Sequence, residues 1–290
     1  VIVERNVADE DALGLITQLA EKALAGTEVA GYRPFGWTAT SGKADEPARA
    51  GPFEDERLVA EAKFADSIEK SLRSIFARVK KRLRQEKGRT LFPLGVGTKE
   101  LKPGMFDGAG FWSTDKKEFV KDTSTQVDDL LQQGARQASR LGLAVDFDLV
   151  NKGVLDFAGK YSDQWWNQLQ KTNRKALRRA ITANIKEGAP LKSLVKSLEA
   201  TFGRTRAEMI ASTETTRLFA EGNRMAYASA GVKRVEWRTV MDDLVDEDCR
   251  ALNGKKWPIG KEKEVPPLHP RCRCWLAPVV DGAAVKKPVK

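Results

Sequence analysis

The chain has 290 residues, of which 41% are hydrophobic and 31% are charged, and its formal net charge at pH 7 is +10. No stretch reaches the ~18 consecutive apolar residues that a transmembrane helix needs, so we expect no membrane span. The basic excess favours a polyanionic partner such as nucleic acid, although such a charge also serves solubility alone.

The first predicted elements are a helix, an arm and a second, much longer helix. Residues 1–25 carry apolar positions at helical spacing, and an extended arm rich in Gly and Pro follows up to residue 53. Over residues 54–87, apolar side chains recur every three or four positions from Leu58 onward. This spacing predicts a long helix whose apolar seam needs a partner helix. Its end is strongly basic, and Gly88 can terminate it.

Residues 90–112 are rich in Gly and Pro and predict an irregular segment held to a surface by aromatic burial. Its expected anchors are Phe106, Phe111 and Trp112. Apolar periodicity then predicts a series of helices, the last of which starts with a capping box made by Thr205 and Glu208. These helices are expected at residues 113–141, 147–159, 161–187, 190–200 and 205–229.

Beyond residue 231 the pattern changes to short strands and turns, and Asn253-Gly254 signals a hairpin. The sequence therefore predicts a mainly α fold with a small α+β C-terminal subdomain, in which long helices accompany short strands and extended arms. The predicted units are an N-terminal helix and arm (1–53), a long basic helix with its loop (54–112), a helical domain (113–230), a small β-rich subdomain with the cysteines (231–281) and a basic tail (282–290).

All three cysteines and the only histidine lie in the predicted C-terminal subdomain. An odd, clustered set argues against a disulfide framework and indicates a reducing compartment with one local site. Three thiolates and one imidazole match a closed, structural Zn²⁺ site, which would stabilise such a small unit by ~10 kcal/mol or more. The alternative is three buried cysteines and a histidine that caps a turn. The candidate ligands are Cys249, His269, Cys272 and Cys274.

An acidic segment directly before Cys249 offers carboxylates that suit a hard cation. Together with the cysteines it would fit a metal-dependent enzyme, whereas the alternative is a solvated acidic turn. A single histidine argues against a catalytic triad. The acidic residues are Asp242, Asp243, Asp246, Glu247 and Asp248.

A run of hydroxyl residues at 212–216 lies inside the last predicted helix, with Glu214 and Arg217 beside it. Such residues favour a helix poorly, so either their hydroxyls are expected to bond the backbone, or Glu214 and Arg217 are expected to pair with another segment. No histidine matches these hydroxyls, so an enzymatic Ser or Thr is not expected.

Two predicted helices carry clusters of basic side chains that suit phosphates. Lys and Arg that neutralise phosphates bind nucleic acid without sequence specificity and with a strong salt dependence. Two solvated helix faces are the alternative. The candidates are Arg78, Lys80, Lys81, Arg82 and Arg84 in the first cluster, and Lys171, Arg174, Lys175, Arg178 and Arg179 in the second.

The C-terminal third carries motifs that resemble the phage Mu F-like head morphogenesis family. The motifs are 210–217 (IASTETTR), 221–223 (EGN), 249–254 (CRALNG) and 269–274 (HPRCRC). The motifs cover residues 188–281 well, whereas the helical part at 115–187 is similar only in its general character. Many relatives carry Cys-x-x-Cys before the Ala-Leu-x-Gly turn, whereas this chain has Asp246 at the first position. The donor set is therefore reduced to four, or Asp246 serves as an oxygen ligand.

This resemblance implies a structural minor capsid protein of a tailed bacteriophage, without enzymatic activity. Its expected location is the capsid interior at the portal vertex, and the host cytoplasm during assembly. Expected partners are the portal protein, a major capsid or scaffolding protein, and DNA bound non-specifically. The alternatives are a metal-dependent hydrolase or nuclease, a toxin-like effector delivered with phage DNA, and a portal-bound regulator without DNA contact.

Overall fold

The computed structural model describes residues 54–88, 101–241 and 245–279. This part of the chain confirms the predicted mainly helical fold with a small antiparallel sheet near its C-terminal end. The predicted N-terminal helix and arm and the predicted basic tail lie outside the described residues. The elements are α1 (Glu54–Gly88), α2 (Ala109–Arg140), α3 (Phe147–Glu187), α4 (Leu191–Phe202), α5 (Arg204–Ser229), β1 (Arg234–Arg238), α6 (Glu247–Leu252), β2 (Lys256–Pro258) and β3 (Trp275–Val279).

Helix α1 has the predicted long apolar seam, and its partner helices are α2 and α5. The seam is buried at Ile68, Leu72 and Val79, each fully inaccessible to solvent. Leu58, at the predicted start of the seam, is instead 49% exposed. The burial of this seam against two helices explains why a helix of this length is stable here.

Helix α3 is one continuous helix of 41 residues, so the predicted division into 147–159 and 161–187 is wrong. No proline interrupts it, and Tyr161, Trp165 and Trp166 continue its buried face across the expected gap. Asp146 caps its first turn by accepting a hydrogen bond from the Leu149 amide.

Two predicted helix starts are also corrected. Helix α2 begins at Ala109, so the end of the segment predicted to be irregular is helical. Helix α5 begins at Arg204 after Gly203 and has no side-chain cap, so the predicted capping box is wrong. The Glu208 carboxylate instead accepts from Arg204 Nε at 2.7 Å. Glu208, which the capping box required, therefore forms an ion pair with a residue one helical turn away.

Helix α5 is the central element, because it packs against α1, α2, α3, α4 and β3. Its backbone comes closest to α2, where a Cβ placed on Gly134 would lie 2.5 Å from the carbonyl oxygen of Phe219. Gly222 makes the reciprocal approach to α2, close to Leu131 and Ala135. Two glycines thus let the two helix backbones touch.

The C-terminal unit is built on a three-stranded antiparallel sheet in the order β2-β1-β3. Trp237 of the central strand is fully buried and pairs with Leu276 of β3. The predicted Asn253-Gly254 hairpin is wrong, because the β1–β2 connection contains α6 and Asn253 ends that helix. Gly254 has φ +82° and donates its amide to the Trp237 carbonyl at 2.8 Å, which returns the chain to the sheet.

In the described part of the chain, none of the helices combines the length and the apolar character needed to cross a membrane.

Candidate functional site

Three of the four predicted metal ligands meet at the base of the C-terminal unit. The ligand atoms of Cys249, His269 and Cys272 all lie within 4.8 Å of one another. Cys249 Sγ lies 3.1 Å from His269 Nε2 and 3.7 Å from Cys272 Sγ. Among the described residues, this is the one group of three or more Cys, His, Asp or Glu side chains arranged to hold a metal ion.

Local backbone geometry brings these donors together. Cys249 lies on the buried side of α6, whose first turn is capped by the Asp246 carboxylate. Residues 269–272 form a tight turn in which the Cys272 amide donates to the His269 carbonyl at 3.2 Å and Arg271 has φ +60°. A helix and a turn that are 20 residues apart in sequence thus converge on one point.

The fourth predicted ligand, Cys274, is buried beside this cluster, and its thiol donates to the Thr239 hydroxyl at 3.2 Å. It also interacts with the thiols of Cys249 and Cys272. Hydrogen bonds from those two thiols lower the pKa of Cys272, and hydrogen bonding to Cys272 raises the pKa of Cys249. The three thiols therefore influence one another's pKa, with Cys272 the member whose pKa is lowered.

The predicted acidic turn does not form a carboxylate site among the described residues. Asp242 and Asp243 lie outside them. Asp246 accepts from the Asp248 amide at 3.0 Å as the cap of α6. Glu247 and Asp248 are exposed in the first turn of that helix, where they favour its positive end.

The hydroxyl run of α5 supports the turn that contains His269 and Cys272. Thr216 Oγ1 donates to the Cys272 carbonyl at 2.7 Å, and Thr213 Oγ1 accepts from the Arg271 amide at 3.1 Å. Thr213 also donates to the Met209 carbonyl of its own helix, as expected for a hydroxyl in a helix interior. The motif 212–216 therefore positions the cysteine turn and forms no nucleophilic site.

Glu214 pairs with a different segment, whereas Arg217 pairs with Glu214 on its own helix. The Glu214 carboxylate is fully buried, accepts from Arg217 Nε at 3.0 Å and also accepts from the Tyr161 hydroxyl of α3. Burial, together with the neighbouring Glu214 charge, raises the pKa of Tyr161 well above 10.0. Tyr161 therefore stays a neutral donor and joins α3 to α5.

A second buried ion group lies on α5, and the sequence analysis missed it. Arg224 donates to both oxygens of Glu221 at 2.7 Å and to both oxygens of Glu262 at 3.1 Å. Burial would lower the pKa of Arg224, but the two carboxylates outweigh it and raise that pKa. The group joins α5 to the loop before the cysteine turn. Its only sequence signal is the EGN motif and the Arg that follows it.

The two predicted basic clusters lie on either side of residues 106–115. Arg78 of α1 donates to the Phe111 carbonyl and pairs with Asp115 at 3.1 Å. From α3, Arg174 lies over the Trp112 ring and Arg178 pairs with Asp107. We call the surface formed by the two clusters and this segment the basic face.

Some members of the basic face hold structure, and others extend into solvent. Lys80 lies over the Phe76 ring, and Arg82 pairs with Glu86 at 3.2 Å. Burial raises the pKa of Asp115 to about 6, although the Arg78 charge opposes the rise. Besides Arg82 and Arg178, which are exposed ion-pair members, the exposed basic residues are Lys81, Arg84, Lys171, Lys175 and Arg179.

The fold and the site together define a helical protein that carries a small cysteine–histidine unit docked on one central helix. Residues 175–277 match the family model described as Phage Mu protein F like protein, and this match supports a phage Mu F-like assignment for that part of the chain. The match covers α5, most of the sheet and the cysteine cluster. The assignment indicates a phage head morphogenesis protein associated with the virion. No curated protein and no solved structure matches the chain.

Proposed function

We propose that the chain is a minor capsid protein of a tailed bacteriophage, located inside the head at the portal vertex, where it contacts packaged DNA. The family model that residues 175–277 match supports the head assignment. The observation that carries the DNA contact is the basic face, in which two clusters from α1 and α3 converge on one segment. The protein acts structurally and reaches the virion from the host cytoplasm during assembly.

The basic face has the chemistry of a non-specific phosphate contact. Lys171, Lys175 and Arg179 are exposed and four residues apart on α3, so they lie along one side of that helix. Three cations along a helix can neutralise phosphates without reading base edges. Arg78 and Arg178, which are bonded to residues 107–115, hold the face in shape.

In this proposal the C-terminal unit is the part that docks on other capsid components. The expected partners are the portal protein and a major capsid or scaffolding protein, and the family assignment supports them. A structural Zn²⁺ ion is the proposed cofactor of this unit. The proximity of Cys249, His269 and Cys272 supports that ion.

Neutralising the exposed part of α3 should weaken DNA binding in a salt-dependent way. The triple variant Lys171→Gln, Lys175→Gln, Arg179→Gln is expected to reduce the slope of log K against log salt by about 0.9 for each phosphate that the protein no longer neutralises. The measurement is a fluorescence-anisotropy titration of a random-sequence duplex at several salt concentrations.

The matched control removes the same charge from the C-terminal unit. Lys233, Lys255 and Lys261 are exposed there, and their change to Gln should leave the slope unchanged. Equal slopes for the wild-type protein and the α3 variant would contradict DNA contact at the basic face. An equal decrease of the slope in both variants would show that the effect depends on net charge and not on the basic face.

A further inference from the structure

We infer that Cys274 is the fourth ligand of the Zn²⁺ ion, so that Cys249, His269, Cys272 and Cys274 form a closed Cys₃His site. The inference rests on the proposed zinc ion and specifies its coordination. It matters for function because a closed tetrahedral site is structural, whereas a catalytic zinc site keeps one position for water. The identity of the fourth ligand therefore separates a docking unit from a hydrolase.

The distances among the first three donors match a tetrahedral zinc site. With Zn–S bonds of about 2.3 Å, two sulfur ligands of a tetrahedral ion lie about 3.8 Å apart. Cys249 Sγ and Cys272 Sγ are 3.7 Å apart. His269 Nε2 lies 3.1 Å from Cys249 Sγ, within a few tenths of an ångström of the sulfur–nitrogen edge, which is about 3.5 Å.

The histidine is also oriented as a metal ligand. His269 Nδ1 donates to the Pro270 carbonyl at 2.9 Å, which places the proton on Nδ1 and leaves the Nε2 lone pair directed at the cysteines. A backbone carbonyl that fixes the second ring nitrogen is the usual support of a zinc-bound imidazole.

Cys274 is the best-placed fourth donor. It is 3% exposed and lines the same depression as Cys249 and His269. It follows Cys272 by two residues, and burial alternates from Cys272 into β3, so both side chains lie on the buried side. Its present partner is the Thr239 hydroxyl at 3.2 Å, and a thiol is a weak donor that a metal bond readily replaces.

Asp246, the other candidate, is already used by the fold. Its carboxylate caps α6, and that cap positions Cys249 three residues later. A carboxylate that turned toward the ion would release the first turn of the helix that carries another ligand. The structure therefore favours sulfur over oxygen at the fourth position.

The surrounding charge also fits three thiolates. Zn²⁺ with three thiolates and a neutral imidazole has a net charge of −1, which a buried site tolerates only beside cations. Arg271 and Arg273 line the same depression as Cys249, His269 and Cys274. The positive charges of these two residues would compensate that charge.

The first test is a native mass spectrum of the full chain loaded with Zn²⁺ alone. We expect one ion per chain. In a competition assay with a chromophoric chelator, Cys274→Ser should weaken zinc binding by more than about 100-fold, above the range found when only a supporting group of a ligand is lost. Two controls should bind zinc as the wild type does: Asp246→Asn, which keeps the helix cap, and Thr239→Val, which removes only the partner of Cys274.

A second measurement does not depend on any variant. Co²⁺ in place of Zn²⁺ in the wild-type protein should give the thiolate charge-transfer absorption of three sulfur ligands. Two outcomes would contradict the closed site but not zinc binding itself. One is an absorption intensity equal to that of two-thiolate reference complexes, and the other is an unchanged zinc affinity in Cys274→Ser. A wild-type chain that binds no zinc overturns the ion itself and leaves the proposed DNA contact intact.

Discussion

Replacing Gly222 with alanine should lower the free energy of unfolding by about 3 kcal/mol or more, because a Cβ at this position overlaps the α2 backbone. The added carbon would lie 3.0 Å from the Ala135 amide nitrogen and closer still to the Leu131 carbonyl oxygen. These are backbone atoms, so no side chain can rotate away. The two helices would have to separate along the contact that holds the central helix α5 in the bundle.

Gly159 provides the matched control for this prediction. It also lies within a long helix, but its side is exposed and no atom lies within 4 Å of a Cβ placed there. Gly159→Ala should therefore stabilise the protein by about 0.5–1 kcal/mol through helix propensity alone. Chemical denaturation followed by circular dichroism gives both values. A destabilisation below about 1 kcal/mol for Gly222→Ala would show that the helices do not pack through this glycine.

The helical part of the fold was predictable wherever a buried face repeats along the sequence. The seam of α1 and the end of α3 at Gly188 follow from local patterns alone, and the structure confirms both. The predicted break before Tyr161 is wrong because the alternation of buried and exposed positions continues unchanged through it. Helix α6 was missed because its six residues are too short to show a period.

The cysteine cluster was predictable because its donors are rare and close in sequence. The hydrogen bonds that support this cluster were harder to predict, because Thr216 and Cys272 are 56 residues apart and no local pattern connects them. The basic face shows the same limit. Each cluster was visible as a charged helix segment, but only the packing of residues 106–115 between them makes one surface.

Replacing Arg224 with methionine should destabilise the protein by about 3–5 kcal/mol, because it leaves the carboxylates of Glu221 and Glu262 buried without a cation. The Arg224 side chain is 4% exposed, and its partners are 6% and 0% exposed. Water cannot replace the four hydrogen bonds that the guanidinium makes to them. The loop that contains Glu262 leads into the cysteine turn. The packing of this turn on α5 should therefore weaken as well.

Arg204, on the same helix, is the matched control for burial. It pairs with Asp66, Glu69 and Glu208, but its side chain is 41% exposed. Exposed ion pairs contribute little, so Arg204→Met should destabilise the protein far less than Arg224→Met does. Equal destabilisation by the two variants would mean that the burial of the Arg224 group does not determine its effect.

The pH dependence of the Arg224→Met variant checks the physical cause. Without the guanidinium, the carboxylates of Glu221 and Glu262 are buried with no cation beside them, so a proton taken up there removes an uncompensated charge. A folded protein that binds more protons than the unfolded chain loses stability as the pH rises. The penalty should therefore be largest at about pH 8 and should shrink as the pH is lowered towards about 5. A destabilisation that is equal at both pH values would show that missing packing, and not uncompensated charge, is its cause.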